Sequence, residues 1–116
     1  MAYFAAMKIV RTTRYLKDMK RLGASASDIA DLELGIVNNP MAGDIIPGLG
    51  GIRKIRFGLK GKGKRGGGRA IYFLQVSEDL VFMLFAYAKN MQTDLTPDQK
   101  KIALSWVKEL KDDDKR

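Results

Sequence analysis

Apolar residues near the start of the chain recur every three positions, which is the spacing of one face of a helix. Leu16, Met19 and Leu22 follow this pattern and predict a short amphipathic helix over residues 14–22, which Gly23 ends. The residues before it, 7–12, alternate loosely between apolar and polar side chains and are predicted to form a strand. Either Thr12 or Thr13 can cap the helix.

A second helix follows directly. Ile29, Leu32 and Ile36 lie on one stripe, and the sequence Asn38-Asn39-Pro40 stops the helix. Ser25, three residues before Asp28, and Ser27, directly before it, are both possible N-caps. We therefore predict two consecutive helices whose apolar faces belong to the core.

The middle of the chain changes to the two-residue period of strands. Residues 44–51 are rich in glycine and proline and predict a turn. A strand is expected over 52–57, with Lys54 and Arg56 on one face and Ile55 and Phe57 on the other. A glycine-lysine loop over 58–68 leads to a second strand over 69–76.

A third strand is predicted from Leu80 to Lys89 and is apolar at nearly every position. This pattern is typical of a central strand, which we expect to be covered on one side and to line something on the other. Simple alternation places Tyr87 and Lys89 on the same face as Val81, Met83 and Phe85.

The last element begins at a clear helix start signal. Thr96 is a predicted N-cap, Pro97 suits the first helical position and Gln99 completes a capping box. The predicted order is β-α-α-β-β-β-α, an α+β fold in one domain over 1–116, with flexible ends at 1–6 and 112–116. Short links between three consecutive strands predict an antiparallel meander with helices packed on one face.

Composition narrows the chemistry. The 116 residues include no cysteine and no histidine, which excludes disulfides, thiolate metal sites and the usual proton shuttle at neutral pH. The apolar opening over 1–6 is too short for a signal peptide, and no apolar run is long enough for a membrane span. We expect a cytoplasmic protein.

The positive charge is concentrated in one part of the chain. The formal net charge is +8, and no acidic residue lies between Asp44 and Glu78. That window holds eight basic residues: Arg53, Lys54, Arg56, Lys60, Lys62, Lys64, Arg65 and Arg69. Such a window favours binding to a polyanion, most often a nucleic acid. The alternative is a solvated basic surface that aids solubility.

The loop over 58–65 fits the first seven places of a phosphate-binding P-loop. Arg65, however, occupies the position where a P-loop needs a hydroxyl for magnesium, and the predicted meander is the wrong architecture. We interpret the loop as a hairpin tip whose lysines contact phosphates and whose glycines let the backbone approach a ligand.

Three blocks of sequence together resemble the HigB branch of the RelE toxin superfamily. They are Gly48-Leu49-Gly50-Gly51-Ile52-Arg53-Lys54-Ile55-Arg56, Gly61-Lys62-Gly63-Lys64-Arg65-Gly66-Gly67 and Arg69-Ala70-Ile71-Tyr72-Phe73. Asn39-Pro40, Gly43-Asp44-Ile45-Ile46, Tyr87-Ala88-Lys89-Asn90 and Asp94-Leu95 are also similar to that family. The resemblance extends over roughly residues 7–110.

The resemblance implies a toxin of a type II toxin–antitoxin module, a ribosome-dependent endoribonuclease that cleaves messenger RNA in the ribosomal A site. It also implies a cognate antitoxin, usually with a helix-turn-helix DNA-binding domain. The family fold would place two N-terminal helices on one face of an antiparallel sheet and a concave basic surface on the other. One position departs from the family: Met91 follows Asn90 where a glutamate is common.

Without histidine, cleavage by a 2′-hydroxyl must use other groups for its proton transfers. The candidate for proton transfer is either Lys54 or Lys89. Lys54 is flanked by Arg53 and Arg56, and neighbouring cations disfavour a protonated lysine. Tyr87 would orient or deprotonate the 2′-hydroxyl. Arg56 and Arg69 would stabilise the phosphorane. The candidates for contacts with the RNA backbone are Arg53, Lys60, Lys62, Lys64 and Arg65.

We expect no cofactor and no metal, because two-metal nucleases need clustered carboxylates and the basic window has none. A non-catalytic RNA- or ribosome-binding module on the same fold has the same charge pattern and is the main alternative. A DNA-binding regulator is less favoured, because the predicted helices have no basic recognition face. A membrane-surface role is less favoured again, because the basic residues lie in strands and a loop.

Overall fold

The computed structural model describes residues 7–60 and 67–114 and confirms the predicted α+β class. Its elements are β1 (Lys8–Arg11), α1 (Thr13–Leu22), α2 (Ala26–Asn38), β2 (Asp44–Ile45), β3 (Arg53–Phe57), β4 (Gly68–Gln75), a 3₁₀ turn (Val76–Glu78), β5 (Leu80–Ala88) and α3 (Pro97–Asp114). The predicted order of helices and strands is confirmed, with β2 as an additional short strand. Residues 112–114, which the sequence placed in the flexible tail at 112–116, continue α3. Residues 1–6 and 115–116 lie outside the described residues.

The five strands form one sheet in the order β1-β5-β4-β3-β2. The predicted antiparallel meander is confirmed for β3, β4 and β5. The sheet as a whole is mixed, because β1 pairs in parallel with β5. After β1, the chain crosses one face of the sheet through α1 and α2 and enters β2 at the opposite edge.

The helices lie on both faces of the sheet. Tyr15 and Met19 of α1 and Leu32 and Ile36 of α2 share one core cluster, which we call the first core, with strand residues that include Tyr72. Ala103 and Val107 of α3 belong to a second core on the opposite face, with Ile71 and Phe73. The prediction of helices on one face therefore holds for α1 and α2 only.

Local capping signals set the helix starts. The hydroxyl of Thr12 accepts from the amide of Tyr15, which settles the open choice between Thr12 and Thr13. Ser25 forms a reciprocal capping box with Asp28, so Ser25 rather than Ser27 begins α2. The amide of Thr96 donates to Gln99 Oε1 at 2.9 Å and the amide of Gln99 donates to Thr96 Oγ1 at 3.1 Å, as predicted.

A β-bulge interrupts β5. Ile71 pairs with Phe85 while its neighbour Tyr72 pairs with Met83, so Leu84 is an extra residue on β5. Val81 and Met83 consequently face the first core, whereas Phe85 and Tyr87 face the second. The prediction that all four share one face is wrong, because the bulge reverses the alternation at Leu84. Both faces of β5 pack against core residues for most of its length, and its last residues, Ala86, Tyr87 and Ala88, also border a pocket.

Candidate functional site: a basic cleft on the sheet

Cross-strand pairing gathers basic side chains from β3 and β4 on one face. Lys54 is paired with Ile71, and Arg56 is paired with Arg69. Directly opposite residues of an antiparallel pair project from the same face, which here is the face that carries the second core. The prediction that Lys54 and Arg56 share a face is therefore confirmed, and Arg69 joins them.

These side chains border a cleft of about 550 Å³, which we call the basic cleft. Its walls are formed by Ala42, Asp44, Lys54, Ile55, Arg56, Arg69, Lys89 and Thr93. Four of the five side chains predicted to be catalytic therefore lie in one cleft, and all four are cations. Two come from β3, one from β4 and one from the residue directly after β5. Lys89 and Arg56 are exposed, Lys54 is half-buried and Arg69 is buried.

Arg69 is the most enclosed cation of the cleft, with 8% of its surface exposed. It donates from a guanidinium nitrogen to the carbonyl of Gly68 at 3.0 Å. It stands opposite Arg56 on one side and opposite Tyr87 on the other. Like charges placed directly opposite on a sheet repel each other, so an anion between Arg56 and Arg69 would be stabilising.

Tyr87, the fifth candidate, is buried, with only 4% of its surface exposed. Its hydroxyl lies 3.5 Å from the carbonyl oxygen of Thr93, to which it donates. Burial raises the pKa of Tyr87 to about 12; Asp94 adds to the rise and Arg69 opposes it. A phenol with this pKa keeps its proton at neutral pH, so it can donate a hydrogen bond but is a poor general base.

Tyr87 borders a second, smaller pocket of about 210 Å³ rather than the basic cleft. Asp18, Met91 and Gln92 also border this pocket. Met91 is 78% exposed, so the residue that replaces the family's common glutamate lies at the surface. The turn over 89–93 contributes Lys89 and Thr93 to the basic cleft and Met91 and Gln92 to the second pocket.

Two polar cleft residues, Asp44 and Thr93, were not predicted. Asp44 lies opposite Lys54 because residues 44–45 form the short strand β2, where the sequence predicted only a turn. Thr93 follows β5 and closes the other end. Asp44 lies in the family-like block Gly43-Asp44-Ile45-Ile46, but no site chemistry was assigned to it, and Thr93 belongs to none of the quoted blocks. The two reach the cleft through strand pairing and chain reversal.

Tyr72 supports the wall that carries Asp44. Its hydroxyl donates to the carbonyl of Pro40 at 2.7 Å and accepts from the amide of Gly43 at 2.9 Å. A Cβ on Gly43 would lie 2.8 Å from the Tyr72 hydroxyl oxygen and 3.1 Å from the carbonyl oxygen of Lys54. Position 43 therefore needs glycine, because the chain passes too close to β3 for a side chain.

Of the predicted RNA-contacting residues, the two that the structure describes, Arg53 and Lys60, lie outside the basic cleft. Arg53 points to the opposite face, where it donates to the carbonyls of Gly43 at 2.7 Å and Met41 at 3.2 Å. Lys60 is exposed, and its Nζ lies 3.5 Å from a carboxylate oxygen of Asp31 on α2. Lys62, Lys64 and Arg65 lie outside the described residues.

Within residues 7–60 and 67–114, no group of three acidic side chains is arranged to hold a metal ion. No helix in those same ranges is long and apolar enough to cross a membrane. The cleft is thus a cationic surface with a single acidic wall residue, Asp44, among the residues that border it.

Comparison with known proteins identifies the fold and the family. The structure is similar to a free mutant of the E. coli toxin RelE, with a TM-score of 0.56 and 16% identity over 77% of this chain and 90% of that one. It is also similar to a chain of the intact E. coli RelBE toxin–antitoxin complex, with a TM-score of 0.54 and 20% identity over 72% of this chain and 96% of that one. Residues 7–115 match the family model described as the RelE toxin of the RelE/RelB toxin–antitoxin system. With nearly its whole length matched, the chain belongs to the RelE toxin family.

Proposed function

We propose that this toxin is a metal-independent endoribonuclease that cleaves messenger RNA in the ribosomal A site and so inhibits translation. The observation that carries the proposal is the basic cleft, in which Arg56 and Arg69 stand opposite each other with Lys54 and Lys89 in the same wall. Two guanidinium groups offer paired donors for a phosphate or phosphorane, and the lysines add point charges. The family assignment supports the same function.

The reaction in this proposal is an attack of the 2′-oxygen on the adjacent phosphorus. The new bond from the 2′-oxygen to phosphorus forms as the bond from phosphorus to the 5′-oxygen breaks. One proton leaves the 2′-hydroxyl and one is delivered to the 5′-oxygen. Lys54 and Lys89, which both border the cleft, are the proposed proton-transfer groups, and Arg56 with Arg69 stabilises the added charge on phosphorus.

Tyr87 has a narrower part in this scheme than the sequence suggested. Its pKa of about 12 favours the protonated phenol. We therefore propose that it orients the cleft indirectly, as a buried side chain opposite Arg69 whose hydroxyl donates to the carbonyl of Thr93, and we leave deprotonation of the 2′-hydroxyl to a lysine.

The same proposal includes a neutralising antitoxin. The solved RelBE structure is a complex of a toxin with its antitoxin. A cleft of this charge would attract an acidic segment of a partner, which would compete with RNA for the same cations. We propose that the partner carries a helix-turn-helix DNA-binding domain, as is usual for antitoxins of the HigB branch.

A non-catalytic RNA- or ribosome-binding module is the second candidate. The burial of Tyr87 favours it, because only Lys54, Arg56 and Lys89 of the five candidate side chains are substantially accessible. Binding without cleavage would need only the cations.

A reconstituted translation system separates the two. Purified toxin is added to ribosomes stalled on a defined message, and cleavage is mapped by primer extension. We expect cuts in the A-site codon, and at least a tenfold loss of rate for Lys54→Ala and Arg56→Ala. Lys108→Ala, an exposed lysine on α3, is the charge-matched control and should cleave normally.

Intact messages with bound toxin would support the binding module and reject the enzyme. Treating the toxin with a chelator and removing the chelator before addition to the ribosomes tests the metal-independent mechanism. Loss of cleavage after this treatment would contradict it.

A further inference from the structure

The edge of β5 that faces away from β4 is covered by β1 over its first half and by residues at and within α1 over its second half. β1 pairs with β5 only as far as Arg11 opposite Met83. Beyond that point α1 takes over. Thr12 donates through its amide to the carbonyl of Met83 at 3.2 Å, and its hydroxyl lies 2.9 Å from the same oxygen and 3.1 Å from that of Leu84.

Asp18 of α1 binds the next free position along this edge of β5. Its Oδ2 accepts the backbone N–H of Ala86 at 3.0 Å, a contact across 68 residues of sequence. Asp18 is buried, with 3% of its surface exposed. Hydrogen bonds from a backbone amide to a carboxylate are short and strong, and an edge amide needs such a partner when no strand covers it.

Two arginines of the same helix compensate the buried carboxylate. Arg21 donates to Asp18 Oδ1 at 2.7 Å, and the Nε of Arg14 lies 3.7 Å from the same oxygen. The guanidinium of Arg14 also lies over the ring of Phe85, 5.3 Å from its centre. Phe85 in turn stacks on Trp106 of α3 at 5.2 Å. The Asp18 cluster therefore connects α1, the bulged part of β5 and α3.

The amide of Ala86, which is bound by Asp18, lies between the bulge at Leu84 and the candidate site. Leu84 is the bulged residue, Ala86 donates its amide to the carboxylate of Asp18, and Tyr87, the next residue, is paired with Arg69. A one-residue slip of β5 would turn each side chain to the other face, and a bulge supplies the extra residue that permits such a slip. Fixing Ala86 fixes which face Tyr87 takes.

We propose that Asp18 is a positioning residue for the basic cleft. By accepting the amide of Ala86, it fixes the register of the last residues of β5 and thereby the placement of Tyr87 opposite Arg69 and of Lys89 at the cleft. Asp18 itself touches no RNA. The proposal rests on the proposed function of the cleft, but its structural part can be measured without any activity.

The structural test is amide hydrogen exchange followed by NMR on the full chain. We expect Asp18→Ala to speed exchange at Ala86 by at least about tenfold, because the amide loses its partner and opens to water. The amide of Ile46, which donates to the carbonyl of Ile52 at 2.9 Å at the opposite edge of the sheet, is the control for a distant part of the fold and should exchange as in the wild type. Asp18→Asn keeps a side-chain carbonyl acceptor and should restore most of the protection.

The functional test uses the ribosome assay with the same variants. Misplacing reacting groups by about 1 Å can cost about a hundredfold in rate, so we expect Asp18→Ala to lower the cleavage turnover by about ten- to a hundredfold. Apparent affinity for the ribosome should change little, since the cations that bind phosphate remain. Asp18→Asn should recover part of the turnover. Asp112→Ala, an exposed acid near the end of α3, is the control for the change in net charge.

The outcomes are distinguishable. A wild-type protein that binds ribosomes without cleaving would overturn the proposed function, and the exchange data would then decide the positioning by themselves. Unchanged exchange at Ala86 in Asp18→Ala would overturn the positioning. So would normal turnover of Asp18→Ala beside an active wild type, or an equal loss in Asp18→Asn and Asp18→Ala.

Discussion

Arg56 and Arg69 occupy directly opposite positions on β3 and β4, so two arginine side chains project from the same face of the sheet. This arrangement is unfavourable for an empty sheet, since opposite like charges destabilise a strand pair by about 0.2–1 kcal/mol. It becomes favourable when an anion lies between them. The pair therefore links the stability of the fold to the proposed binding of phosphate.

Replacing Arg56 should separate stability from function. Arg56→Gln removes the repulsion and should raise the free energy of unfolding at low salt by up to about 1 kcal/mol, while it lowers messenger cleavage at least about tenfold. Urea unfolding and the ribosome assay measure the two effects. Added phosphate should stabilise the wild type more than the variant. A variant that is less stable and fully active would contradict the proposed role of the pair.

The raised pKa of Tyr87 predicts a loss of stability in alkaline solution. An unfolded tyrosine releases its proton near pH 10, whereas Tyr87 in the folded protein holds its proton to about pH 12. Between these values the unfolded state carries fewer protons, so stability falls as pH rises. Tyr87→Phe removes this share of the linkage, and its unfolding free energy should decline less steeply from pH 10 to 12. Parallel slopes for the two proteins would refute the assignment.

A buried hydrogen bond to Glu33 predicts the effect of a change in α1. The hydroxyl of Tyr15 donates to Glu33 Oε2 at 2.8 Å, and the guanidinium of Arg11 pairs with the same carboxylate. Burial, followed by the bond to Glu33, raises the pKa of Tyr15. Tyr15→Phe should cost about 1–3 kcal/mol, because the carboxylate loses one of its two partners while Arg11 remains.

Thermal unfolding measures this cost, and Lys17→Ala, an exposed neighbour on α1, is the control that should stay within about 0.5 kcal/mol of the wild type. A Tyr15→Phe protein as stable as the wild type would mean that the hydroxyl contributes nothing to the network.

Two glycine substitutions should have opposite signs. Gly43→Ala places a Cβ 2.8 Å from the Tyr72 hydroxyl oxygen and should destabilise by about 1–3 kcal/mol. Gly35→Ala on the exposed side of α2 meets nothing within 4 Å and should stabilise by about 0.5–1 kcal/mol. Chemical denaturation of both variants checks the pair. Similar effects of the two changes would rule out the close approach at Gly43 as the cause.

Much of the local structure follows from the sequence. The capping residues Thr12, Ser25 and Thr96 lie within three residues of the amides that they accept from, so short-range chemistry sets the helix starts. The faces of Lys54 and Arg56 also follow from simple alternation in an unbroken strand. Where helix or strand periodicity runs without interruption, the sequence is sufficient.

The candidate site could be predicted only in part. Lys54, Arg56, Arg69 and Lys89 were chosen from charge and family resemblance, and the structure places all four in one cleft. Asp44 and Thr93 were not chosen: the family-like block that contains Asp44 does not mark it as a site residue, and Thr93 carries no local signal. They enter the cleft through β2 pairing and through the turn after β5, respectively.

The sequence by itself determined the class of fold, the short segment in which each helix starts and the concentration of positive charge in one window, because these depend on neighbours in the chain. Only the tertiary structure decided the parallel pairing of β1, the side of the sheet on which α3 lies, and the face on which Tyr87 lies. The bulge at Leu84 reverses the alternation of β5. The contact from Asp18 to Ala86 crosses 68 residues. Register and packing of this kind depend on which distant segments fit together, and no window of sequence contains that information.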